Sequence, residues 1–218
     1  MPKVVTIDGP AGAGKSTAAR RLAGRLGWQF LNTGAMFRAV TLAALRRGTD
    51  VASESQLDVL TADLEVDVSG GRVVLDGEDV TRELDRRRSE ISLASGPIAS
   101  SAVVRGHLLH WQREFAREVD TVTEGRDQGT VVFPDAFRKF FLTANEVERA
   151  RRRVAELEAN GQHASFEDVL ADQRIRDARD AARTIAPMKP AADALHIDTS
   201  GKTIDQVVEE LASHILIL

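Results

Sequence analysis

The run Gly9-Pro10-Ala11-Gly12-Ala13-Gly14-Lys15-Ser16 fits the spacing G-x-x-x-x-G-K-[ST] without a mismatch. Glycines at these places let successive backbone amides curl around an anion. A helix starting at the end of the run turns the positive end of its dipole toward the same anion. The chemistry implied is the binding of a nucleotide polyphosphate. Lys15 is placed to reach the β- and γ-phosphates, and Ser16 to offer its hydroxyl to the Mg2+ that accompanies ATP. The expected ATP segment is therefore Gly9, Pro10, Ala11, Gly12, Ala13, Gly14, Lys15, Ser16 and Thr17.

Such a loop does not by itself decide the reaction, because kinases, switch GTPases and motor ATPases hold the donor triphosphate in the same way. A kinase for a small phosphate ester needs arginines on a second phosphate, since two polyanions must be lined up and their repulsion cancelled. The chain offers four places. Arg38 follows the Thr33-Gly34 turn, Arg105 opens a helical stretch, and Arg126 with Asp127 lies in Gly125-Arg126-Asp127 after an apolar strand. Arg176, Asp180 and Arg183 recur at spacings of four and three, which puts them on one face of a helix. Read alone, that last run also fits an exposed, salt-bridged helix. No Asn-Lys-x-Asp sequence for reading guanine occurs. His107, His110, His163, His196 and His214 show no metal-ligand spacing, and Trp28 and Trp111 read as core residues.

The elements that must position these residues alternate. Val4-Val5-Thr6-Ile7 is a β-branched run ending at Asp8-Gly9-Pro10, followed by an apolar helical stripe of Ala18, Leu22, Ala23 and Leu26. A strand over 28–31 and a helix over 35–47 repeat the unit. Period-two alternation over 64–68 and 73–75, around Ser69-Gly70-Gly71, predicts an antiparallel hairpin, so residues 58–95 read as an insert. A helix over 103–118, strands over 121–123 and 137–142, an arginine-rich helix capped by Asn145 and ending at Asn160-Gly161, a strand over 195–197 and a last helix from Ile204 complete the count. The pattern predicts an α/β fold with a parallel sheet covered by helices on both faces and ligands at its carboxyl edge. With 218 residues, 43% hydrophobic and 28% charged, the chain suits one domain plus an insert. A net charge of −4 argues against polymeric nucleic acid as a partner. The absence of cysteine excludes disulfides, apolar runs are too short for a membrane span, and the start at Met1-Pro2-Lys3 leads straight into the first strand, so a cytoplasmic monomer is expected.

In chain order these segments resemble the bacterial cytidylate kinases over essentially the whole sequence. The resemblance is carried by Ile7-Asp8 with the loop to Ser16, by Thr33-Gly34-Ala35-Met36-Phe37-Arg38, by Ala186-Pro187, and most specifically by Gly125-Arg126-Asp127-Gln128-Gly129-Thr130-Val131-Val132-Phe133-Pro134. It implies a P-loop nucleoside monophosphate kinase fold, with residues 58–95 as a monophosphate-binding subdomain and 145–165 as a mobile lid bearing Arg149, Arg151, Arg152 and Arg153. The implied reaction is in-line transfer of the γ-phosphoryl group of ATP to CMP or dCMP, with Mg2+ and lid closure. UMP, AMP or a small metabolite are the alternative acceptors. By the same resemblance Arg105 and Asp127 read cytosine, whose exocyclic amino group a carboxylate accepts. Arg176 and Asp180 hold the sugar, and Arg38, Arg126 and Arg183 the acceptor phosphate. Thr33 joins the CMP pocket, Arg149 and Arg153 reach ATP, and Lys15, Arg126 and Arg183 carry the chemistry. The chain departs from the family pattern at Asn32, Phe37 and Glu124, where Asp, Tyr and Asp are usual, and Ser95 stands one place from the family's serine, which aligns with Gly96.

Overall fold

The computed structural model describes residues 2–159 and 161–216, so Asn160, expected to end the arginine-rich helix, lies outside the described residues. The elements begin with strand β1 (Val4–Asp8), helix α1 (Lys15–Leu26), strand β2 (Gln29–Asn32), and helices α2 (Thr33–Arg47) and α3 (Glu54–Ala62). Short strands β3 (Val66–Asp67), β4 (Val74–Leu75) and β5 (Glu78–Asp79) follow, then helices α4 (Thr81–Arg86), α5 (Arg88–Ser100) and α6 (Ala102–Phe115). Strands β6 (Thr121–Glu124) and β7 (Arg138–Thr143), helices α7 (Glu146–Ala159) and α8 (Phe166–Ala181), strand β8 (Leu195–Asp198) and helix α9 (Ile204–Leu216) complete the chain.

Two compact units result: Lys3–Trp28 with the chain from Thr121 onward, and Gln29–Asp120. In the first, parallel strands run in the order β6-β1-β7-β8, with Val5 opposite Val122 and Ile7 opposite Phe140. β1 is central, which explains its β-branched, fully buried Val5, Thr6 and Ile7. α1 packs on β1, β6 and α9 through Ala18, Ala19, Leu22 and Ala23. Gly27 ends it in the left-handed region and returns its N–H to Ala23 O. α7 packs along α8.

The Gln29–Asp120 unit has its own apolar core, formed by Leu31, Leu42, Leu57, Ile91, Ile98 and Leu108 among others, with Trp111 half-buried against it. The expected hairpin is there, with Val66 opposite Leu75, but a third strand, β5, extends it. Asp76-Gly77 makes the extra turn with positive φ at both residues, the tight hairpin geometry that an Asp-Gly pair favours. The stretch after it folds into α4 and α5, because Leu84, Ile91 and Ile98 all reach the core. α5 continues through Pro97 to Ser100.

Candidate functional site

The loop between β1 and α1 is shaped by glycine. Gly9 has φ +139°, and a Cβ there would lie 2.0 Å from Leu142 O on β7, so only hydrogen fits between the loop and the sheet. At Gly12, φ +77°, a Cβ would meet Arg149 Cβ and Gln173 Nε2 at 3.0 Å. Lys15 opens α1, is buried, and donates from Nζ to Pro10 O at 2.7 Å. Burial pushes its ammonium down to about 7, with Arg126 adding repulsion, while Glu124, Asp8 and Asp177 act the other way. Ser16 and Thr17 are exposed on the first turn of the helix.

Around this loop the first unit gathers buried charge. Asp180, near the end of α8, accepts from Arg126 Nε at 2.9 Å and from Arg183 Nη2 at 2.5 Å. Arg183 lies past the end of α8, so the expected helical face covers only Arg176 and Asp180; the ion pair to Asp180, rather than helical spacing, brings Arg183 in. Burial lowers the pKa of Arg176, and Arg126 is the next contributor. This end of the run is therefore not an exposed salt-bridged face. Farther along α8, Arg174 pairs with Glu146 in solvent. Asp127 is buried in the Gly-Arg-Asp turn, which continues as a single π-turn over Gln128–Val132.

Three arginines of α7, Arg149, Arg152 and Arg153, are already engaged. Arg149 is buried and donates to Ala11 O at 2.8 Å, to Asp177 Oδ2 at 2.6 Å and to Ala144 O at 3.2 Å, which fastens α7 and α8 to the phosphate loop. Arg153 pairs with Glu156 on its own helix at 2.9 Å. Arg152 instead donates to Thr199 Oγ1 at 3.0 Å and to Thr199 O at 2.7 Å, beside Gly14. It borders a cleft of about 190 Å³ lined by Ala13, Gly14, Thr17, Arg152, Thr199 and Lys202, with Ile204 and Val207 at its apolar side. Sequence reading did not single out Thr199, Lys202 or Asp177. The available signal was the Asp198-Thr199-Ser200-Gly201 turn at the carboxyl end of β8, where ligands of parallel sheets gather.

The remaining sequence candidates belong to the Gln29–Asp120 unit. Thr33 is buried at the start of α2, where Asn32 caps the helix by accepting from Ala35 N at 3.0 Å, and Arg38 is half-buried one turn on. Asn32 thus serves α2 as a cap, a task its amide performs as well as a carboxylate. Arg105 donates to Ala99 O at 3.0 Å, and its guanidinium lies over the Phe37 ring at 5.5 Å. Ser95 spends its hydroxyl on Ser92 O at 2.9 Å.

Residues 5–216 match the family model described as cytidylate kinase. The chain belongs to the cytidylate kinase family. A cytidylate kinase of Vibrio cholerae is 46% identical, with 97% of this chain and 95% of the relative covered; one of Pseudomonas syringae pv. tomato is 44% identical, with 97% and 94% covered. Among solved structures, an uncharacterized protein from Eubacterium ventriosum matches with a TM-score of 0.55 at 12% identity, covering 98% of both chains, which shows the shared fold. Family membership accords with the phosphate loop and the Gly-Arg-Asp turn, the two segments that most distinguish the sequence. No helix among the described residues is long and apolar enough to cross a membrane.

Proposed function

We propose that the protein transfers the γ-phosphoryl group of ATP to CMP, and to dCMP, as a cytoplasmic monomer. The observation that carries this reading is the family match over residues 5–216, joined to a phosphate loop with a half-buried guanidinium cluster in the same compact unit. The loop amides and Lys15 take the polyphosphate, and the cleft bordered by Arg152, Thr199 and Lys202 takes the donor nucleoside. Of the three arginines, Arg152 is the one that lines this cleft, although it too has partners there, Thr199 and Glu148.

Arg126 and Arg183 hold the acceptor phosphate, Asp127 reads the base, and Arg176 with Asp180 meets the sugar. In the other unit, Arg38 is assigned to phosphate, Arg105 to base and Thr33 to the same ligand. Residues 58–95 form the monophosphate-binding subdomain and 145–165 the lid, whose closure excludes water and prevents wasteful hydrolysis. The reaction needs no strong general base, because a phosphate dianion is already nucleophilic and the transition state is loose, so positioning and charge neutralisation dominate.

The residues present fit Mg2+ bound with ATP. Ser16 offers an exposed hydroxyl, and among the described residues no group of three or more His, Cys, Asp or Glu side chains forms a separate cage. That suits a cation held chiefly by phosphate oxygens and water. When bound, it neutralises charge developing on the β- and γ-oxygens.

The test is ADP release by purified protein with ATP and each of CMP, dCMP, UMP and AMP. CMP and dCMP are expected to lead. Absence of CMP-dependent ADP release would sink the reading, and faster turnover of UMP or AMP would reassign the acceptor.

A further inference from the structure

β1 ends in a carboxylate that neither the phosphate loop pattern nor the acceptor cluster uses. Asp8 is 4% exposed, and its two oxygens divide between successive amides: Gln128 N donates to Oδ1 at 2.9 Å and Gly129 N to Oδ2 at 2.8 Å. These amides open the turn that directly follows Arg126 and Asp127, while Asp8 directly precedes Gly9. One side chain therefore ties the entrance of the phosphate loop to the turn bearing two candidate acceptor ligands.

We propose that Asp8 is a positioning residue for phosphoryl transfer, its two-amide clamp fixing Arg126 and Asp127 relative to Lys15, a role that rests on the kinase reading above. The turn is packed so that the clamp sets its place. A Cβ on Gly129 would lie 2.9 Å from Thr6 Oγ1, and the buried Gln128 side chain accepts from Thr123 Oγ1 at 2.9 Å. Only an ionised carboxylate offers a full-strength acceptor to both amides. An asparagine supplies one acceptor and one donor, and a protonated carboxyl turns one oxygen into a donor.

The charged groups that act on Asp8 are Asp127 from the turn and Lys15 from α1; nearby, Glu124 on β6 stands opposite Ile7, and Lys139 on β7 stands opposite Thr6 with its methylenes passing Gly129. Burial is the largest influence and raises Asp8 to about 6; the Gly129 and Gln128 amides oppose it, Asp127 adds to it, and Lys15 opposes it. The clamp is thus complete above that value and is lost as pH falls through it.

Two measurements test this. In 15N-labelled wild-type protein, the Gln128 and Gly129 amide protons should shift together with a midpoint near the Asp8 value, and the shift should vanish in Asp8→Asn. Amides that do not titrate in the wild type would overturn the clamp, and that measurement needs no turnover. In kinetics, Asp8→Asn should lower kcat by on the order of 30- to 100-fold, as a misplacement of the reacting groups would. Its ATP affinity, measured by calorimetry, should change less than about threefold. CMP itself titrates near pH 6. The acid limb of log kcat/KM for CMP should therefore lose two protons in the wild type and one in Asp8→Asn. Equal slopes, or kcat within about twofold of wild type, would overturn the positioning role. Wild-type protein without CMP-dependent turnover would sink the kinase reading instead, and the clamp would then stand or fall on the amide titration.

Discussion

The two compact units handle charge in opposite ways. In Gln29–Asp120 the ion pairs stay near solvent: Arg46 with Glu78 and Glu83, Arg47 with Asp76, Arg87 with Glu83 and Glu90. Among the described residues, its buried polar side chains are uncharged: Thr33, Thr41, Thr61, Ser101 and Gln112. The loop-bearing unit buries Asp8, Lys15, Glu124, Asp127, Lys139, Arg149 and Asp180. Burying a charge costs several kcal/mol unless partners compensate, so a unit that does it repeatedly is shaped by something besides stability. The contrast marks where polyanions are to be held, and it ranks what mutations should do.

The largest effect is expected for Lys15→Met, which should cut kcat by on the order of 10³-fold, as loss of a preorganised charge on a phosphoryl group does. Its melting temperature should stay within about 3 °C of wild type, because the hydrogen bond to Pro10 O is offset by release of a buried ammonium. A large loss of stability alongside activity would break the contrast, since Lys15 would then be structural.

Asp180→Ala comes next. It leaves Arg126 and Arg183 facing each other, and urea unfolding should show a loss of about 3 kcal/mol, toward the low end for buried pairs because Arg126 keeps some solvent. A loss below about 1 kcal/mol would place this cluster with the surface pairs of the other unit.

A smaller and more selective change is expected from Asp127→Ala, which should reduce the ratio of kcat/KM for CMP over UMP by about tenfold. An unchanged ratio would remove the base-reading role. The smallest effect belongs to Arg46→Ala. Its partner Glu78 is solvent-exposed and Glu83 only half-buried, so stability should fall by less than about 1 kcal/mol and kcat should not change. A drop in kcat there would mean that surface charge in the Gln29–Asp120 unit also serves catalysis.

How far the sequence alone reaches depends on how local the signal is. The phosphate loop is contiguous and its strand-turn-helix context was readable from Val4 to Leu26. The hairpin was readable from alternation between Leu64 and Leu75, and Asn145 caps α7 as expected, accepting from Val147 N at 2.9 Å. β5 was missed although Asp76-Gly77 announced it, and α4 and α5 were missed because their apolar residues are sparse and matter only once the core collects them. Pro97, a nominal helix breaker, is tolerated inside α5.

The amino-acid order by itself determined the loop that holds phosphate, the alternation of strands and helices, and the arginines available to a second anion, because each is encoded over a few neighbouring residues. Only the tertiary structure decided which partner each charge meets. Asp8 meets Gln128 and Gly129, Arg126 meets Asp180, and Arg152 meets Thr199. Each of these partnerships joins residues separated by many tens of positions, and chain spacing holds no information about them until a parallel sheet sets its strands side by side and brings their carboxyl ends to one edge.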